Sequence, residues 1–285
     1  RDLRRRTRID RGAGQIEGAA IDVAGQCADI EHAILHGELG DDIVDALIRQ
    51  DERIRLEIDI RVLALERSRR FLDALQATQH ERGLDNIEAV ELDLDDVDSL
   101  PPYKAEIQSS LPPCQGGTKG GRKLQADGAW CRWVLCFVKR PREILAKVAE
   151  HLRPGGTLVL HEYFDYSTFR FAPPCPELEE FVAAVMQSWR AQGGEPDIAL
   201  SIPRWLEELG FQIRSLQPIV EVVPPTSFVW HWPRSFIEVG LRRLVDLGYF
   251  TQQRASEILA ALAAAEASPH TLMITPAVLE IIAVR

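Results

Sequence analysis

Residues 126–160 constrain this chain more than any other run: they read as strand, loop, helix, turn and strand. Residues 127–134 are mostly apolar and suit a strand buried on both faces. Pro141 starts a helix well, because its fixed φ matches the first turn and its missing N–H would be unpaired there. The following residues put Ile144, Leu145, Val148, Ala149 and Leu152 on one helical face. Pro154-Gly155-Gly156 is expected to stop that helix, and Thr157-Leu-Val-Leu160 to form a short interior strand. A β-α-β unit of this kind belongs to an open, mainly parallel α/β sheet with helices on both faces. Such sheets take ligands at the carboxyl ends of their strands.

The same pattern continues on either side. Residues 62–65 read as a buried strand ending in Glu66, and Ser68 stands where it can cap a helix over residues 69–82 that Gly83 ends. Residues 87–92 are a third strand, ending in Asp93. Beyond Leu160, helices are expected over 177–192, 203–209, 234–247 and 252–267, with strands over 211–223, 270–273 and 277–284.

With Asp127-Gly-Ala-Trp-Cys-Arg-Trp-Val-Leu135, a helix and Leu152-Arg-Pro-Gly-Gly156 in this order, the chain resembles class I S-adenosylmethionine-dependent methyltransferases. Within that class it is similar to the small-molecule enzymes, among them the quinone-biosynthesis C-methyltransferases. The resemblance covers about residues 61–285. It implies a Rossmann-like sheet with a C-terminal antiparallel hairpin and a helical cap, at about 164–203 and 228–268. It also implies S-adenosylmethionine as cofactor and a small molecule as methyl acceptor. Glu66 would hold the ribose hydroxyls and Asp93 the adenine amino group. Cys131, Arg132 and Trp133 would lie beside the methionine part, with the Trp133 ring able to face the sulfonium cation. His161 and Glu162, at the end of the fifth strand, are the candidate catalytic bases. His231, between Trp230 and Trp232, reads as an anchor for the cap.

Two segments depart from this pattern. Residues 1–60 open on a basic arm, and 53–61 alternate charged and apolar residues, which is wrong for a sheet interior. They read either as a disordered arm or as a segment foreign to the fold. The family's acid-x-Gly-x-Gly-x-Gly loop is not recognisable there. Gly12-Ala-Gly14 and His36-Gly37 have its texture but not its setting, so the first strand and its loop are expected to be absent and cofactor binding poor. The initial Arg points the same way, to a fragment or a processed chain. Residues 101–125, rich in Pro, Gly and Lys, read as an exposed insertion that trypsin should cut first near Lys119, Arg122 or Lys123. They lack the Gly-Lys-Ser/Thr ending of a phosphate loop.

Composition narrows the function classes. A net charge of -10 argues against nucleic acid as partner. Five cysteines without a Cys-x-x-Cys pair fit a reduced cytoplasmic setting and give no metal signature. No apolar run is long enough for a membrane span. Two other readings stay open: a non-catalytic methyltransferase-like protein that has lost cofactor binding, and a nicotinamide-dependent oxidoreductase.

Overall fold

A computed structural model describes residues 18–23, 60–96 and 125–285, with residues 18–23, 60 and 61 described by their backbone. The strands are β1 (Gly18–Val23), β2 (Ile60–Glu66), β3 (Ile87–Glu91), β4 (Ala126–Arg132), β5 (Leu152–Asp165), β6 (Arg170–Ala172), β7 (Gln212–Ile219), β8 (Val222–Val223), β9 (Leu272–Ile274) and β10 (Ala277–Val284). The helices are α1 (Arg69–Arg82), α2 (Pro141–His151), α3 (Pro176–Ala191), α4 (Ile202–Glu208), α5 (His231–Asp246) and α6 (Gln252–Ala267).

Seven strands form one sheet in the order β3-β2-β1-β4-β5-β10-β7. The pairs among β3, β2, β1, β4 and β5 are parallel. β10 lies between β5 and β7 and is antiparallel to both. The α/β architecture is therefore as expected, with its antiparallel pair interrupted in sequence by α5 and α6.

The structure corrects the reading of the N-terminal segment in one respect. Gly18–Val23 fills the first-strand position, parallel to β2 on one side and to β4 on the other. Gly-Ala-Ala-Ile-Asp-Val has only two large apolar side chains, too few to announce a strand by pattern. The readings of 1–17, 24–59 and 101–124 lie outside the described residues.

Smaller corrections concern strand and helix ends. β4 stops at Arg132, two residues before the expected end, because the chain turns at Trp133. α2 ends at His151, so Pro-Gly-Gly is not what stops it: Leu152 is already extended, and Arg153 precedes a proline, which disfavours helix. Pro154-Gly155-Gly156 instead forms an irregularity inside β5, where pairing jumps from Ala126↔Leu152 to Gly128↔Thr157. A Cβ on Gly156 would sit 2.9 Å from the Arg153 carbonyl oxygen, so the bulge admits no side chain there. Ser68 occupies the helix N-cap without a side-chain cap bond. The strand expected over 270–273 is β9 (Leu272–Ile274), which joins a separate three-stranded sheet, β6-β9-β8. That small sheet buries Phe171, Val223 and Met273.

The cap packs on apolar stripes at helical spacing. α3 buries Leu178, Phe181, Val182, Val185 and Trp189. α5 buries Phe236, Ile237, Gly240, Leu241 and Leu244. A Cβ on Gly240 would meet the Phe181 ring at 3.1 Å, so glycine sets how closely α3 and α5 approach. Trp230 is buried before α5 and donates from Nε1 to Glu266 Oε1 on α6 at 2.9 Å. Arg254 of α6 binds Glu180 of α3 at 2.6 Å. His231, read as an anchor, is exposed, and its neighbours Trp230 and Trp232 make the buried contacts.

Candidate functional site

Strand register places several singled-out residues on one level of the sheet. Val23, the last residue of β1, pairs with Leu65 and with Cys131. Glu66 and Arg132 therefore each stand one residue past it, flanking the exit of β1. Glu66 pairs with Glu91, Arg132 with His161, and His161 with Glu280. This is the carboxyl edge of the parallel strands, where open α/β sheets bind ligands.

Glu66 is 4% exposed, and its Oε1 accepts from Ser68 N at 2.6 Å. Burial pushes its carboxyl up to about 7, against the lowering effect of the Ser68 and Arg67 N–H groups. Two hydroxyl donors on a ligand would relieve that burial cost, so Glu66 suits a vicinal diol. Asp93 is exposed at the end of β3, and its Oδ1 accepts from Asp95 N at 2.9 Å. Asp95 in turn accepts from Lys139 N at 2.9 Å, and Arg140 donates to its carbonyl oxygen. The acidic turn after β3 is thus tied to the loop that follows β4.

That loop begins with Trp133, whose φ of 53° is left-handed. A bulky residue there costs roughly 1–2 kcal/mol. Trp133 N donates to His161 O at 2.9 Å. The indole stacks on Trp232 (centroids 4.8 Å apart, 9° between planes) and on Tyr163 (5.6 Å, 8°). The Arg132 guanidinium carbon lies 3.8 Å from the Trp133 ring centroid. With a cation and two aromatic rings already against it, the Trp133 face offers a sulfonium little room. Its Nε1 is buried without a hydrogen-bond partner, a state found at no other buried side-chain nitrogen or oxygen among the described residues.

His161 and Glu162 point to opposite faces, as neighbours on a strand must. His161 is half-buried. Its Nδ1 accepts from Trp130 Nε1 at 3.3 Å, and its Nε2 lies 2.9 Å from Glu280 Oε2. Indole N–H only donates, so the proton of the neutral ring sits on Nε2 and is given to Glu280. Glu162 is 0% exposed. Its Oε1 accepts from Val134 N and Leu135 N, both at 2.8 Å, and its Oε2 from Cys136 N at 3.3 Å. The Cys131 thiol is 3.8 Å from Oε1. Burial pushes Glu162 up to about 7, with the three N–H donors acting in the opposite direction.

The structure thus brings Glu66, Arg132, Trp133 and His161 to one edge, leaves Asp93 at its exposed end, and turns Glu162 inward. Sequence reasoning did not find Trp130, Glu280, Tyr163 or Trp232. Only Glu280 carried a usable signal, a carboxylate within an otherwise apolar strand. Among the described residues no group of His, Cys, Asp and Glu could hold a metal ion, and no helix is long and apolar enough to cross a membrane.

Residues 122–160, the β4–β5 unit, match the family described as methyltransferase domain. No curated protein matches the chain. The cyclopropane synthase MmaA2 from Mycobacterium tuberculosis superposes with a TM-score of 0.51 at 12% identity, covering 95% of this chain and 79% of that one. The YcgJ protein from Bacillus subtilis gives 0.49 at 11% identity, covering 94% and 92%. Coclaurine N-methyltransferase, bound to N-methylheliamine and SAH, gives 0.43 at 11% identity, covering 94% and 67%.

Proposed function

We propose that this chain, which has the class I fold and matches a methyltransferase domain over residues 122–160, transfers a methyl group from S-adenosylmethionine to a small molecule. The observation that carries the reading is the antiparallel β10 between β5 and β7, together with the family match over β4 and β5. A nicotinamide-binding sheet of order 3-2-1-4-5-6 has no such insertion, which argues against the oxidoreductase.

The cofactor supplies, when bound, an electrophilic methyl on a sulfonium. Glu66 would accept hydrogen bonds from the ribose hydroxyls, which its burial and its place at the end of β2 favour. Asp93 offers an acceptor to the adenine amino group. Arg132 and Trp133, at the exit of β4, would lie beside the methionine part. The chain's main task is to align the acceptor with the methyl and exclude water. An acceptor that loses a proton needs a base, and His161 can serve only by releasing the Trp130 N–H from Nδ1. Protonation of that nitrogen would pass positive charge to the Glu280 side through Nε2.

A second reading is a non-catalytic methyltransferase-like protein that has lost cofactor binding. One observation favours it: Asp22-Val-Ala-Gly-Gln-Cys-Ala28 stands where the family has acid-x-Gly-x-Gly-x-Gly, with Ala24, Gln26 and Ala28 at the glycine positions. Calorimetric titration of the purified chain with S-adenosylmethionine and with NADH separates all three readings. One-site binding of the first alone supports methyl transfer, binding of NADH supports the oxidoreductase, and neither supports the non-catalytic protein.

A further inference from the structure

We propose that Glu162 is a positioning residue: its inward carboxylate builds the turn after β4 and thereby holds Trp133 at the wall of the methyl-transfer site. The inference deepens the functional reading above and rests on it for the word site, but its geometry stands alone.

Trp133 leaves β4 in a left-handed conformation that its side chain disfavours. Something must hold the next residues in place. Three consecutive N–H groups, those of Val134, Leu135 and Cys136, converge on the Glu162 carboxylate from β5. The Cys131 thiol reaches it from β4. On the far side of the turn, Glu195 N donates to Cys136 O at 2.9 Å. A Cβ on Gly194 would lie 2.4 Å from that same oxygen, so the segment after α3 also grips the turn. Val134, Leu135 and Cys136 are fully buried, which leaves no water to replace the carboxylate as acceptor. The consequence falls on Trp133, fixed between a clamped turn, the His161 carbonyl and the rings of Trp232 and Tyr163. Trp232 belongs to the first turn of α5, so the turn after β4 and the cap meet through this stack.

The test reads the indole N–H resonances of isotope-labelled protein without cofactor. Trp133 is identified by the peak lost in Trp133→Phe, and Trp230, held by Glu266, serves as internal control. In Glu162→Ala the Trp133 peak should leave its ring-shifted position for that of an unstacked indole, while the Trp230 peak stays. Glu162→Gln, whose single amide oxygen can still accept from Val134 and Leu135, should restore the parent position. A Trp133 peak unmoved in folded Glu162→Ala overturns the proposal, as does a Gln variant displaced as far as Ala. If the Ala variant does not fold, Glu162→Asp, which withdraws the oxygens by one methylene, is read the same way. The response needs no cofactor, so a chain that binds no S-adenosylmethionine yet shows it refutes the functional reading and keeps this one.

Discussion

At the scale of the residue, two buried carboxylates set the chemistry of the edge. Glu66, at the end of β2, is the one proposed to meet the cofactor ribose. A hydrogen bond to a charged group is worth about 1.5–3 kcal/mol, so Glu66→Ala should weaken S-adenosylmethionine binding roughly 10- to 100-fold. Equal affinities by calorimetry would remove the assignment. Glu162 makes a separate prediction about pH. Its carboxyl lies near 7 in the fold against 4.5 unperturbed, raised by burial. The folded chain then binds a proton that the unfolded chain has released. Stability from this group is fully present below about pH 4.5 and is lost as the pH rises through about 7. The span corresponds to about 3 kcal/mol at most. Denaturant unfolding across that window should show the decline in the parent, beyond what Glu66 contributes in the same direction, and a smaller decline in Glu162→Gln. Identical pH profiles would refute it. Glu66 was legible in the sequence because an acid closes a short apolar run and a helix follows. The inward turn of Glu162 was legible in principle, since period-two alternation forbids His161 and Glu162 from sharing a face. Its three N–H partners were not, because only the folded turn brings them together.

At the scale of the element, β1 decides whether the sheet is complete. Its pairing with β2 and β4 places a short, weakly apolar segment in the middle of seven strands. A central strand needs its N–H groups for the ladder. Ile21→Pro should therefore cost about 1–3 kcal/mol or more, read as a lowered unfolding midpoint. An unchanged midpoint would show that residues 18–23 add nothing to the sheet. In the cap, Gly240→Ala should cost about 1–3 kcal/mol, because its Cβ would press on the Phe181 ring at the α3–α5 crossing. Helices were legible to within a few residues, since their apolar stripes repeat at helical spacing and Pro141, Gly83, Gly210 and Gly248 mark their ends. β6, β8 and β9 were not legible as a sheet. They are two or three residues long and find one another across long sequence separations.

At the scale of the whole molecule, the order β3-β2-β1-β4-β5-β10-β7 ties the parts into one functional statement. It brings the ends of β2 and β4 to either side of β1 and lays the stack of Trp133, Trp232 and Tyr163 between sheet and cap. The most direct measurement is calorimetric titration of the purified 285-residue chain with S-adenosylmethionine. The account predicts saturable one-site binding, weakened in Glu66→Ala. Absence of binding by the folded parent chain would contradict it.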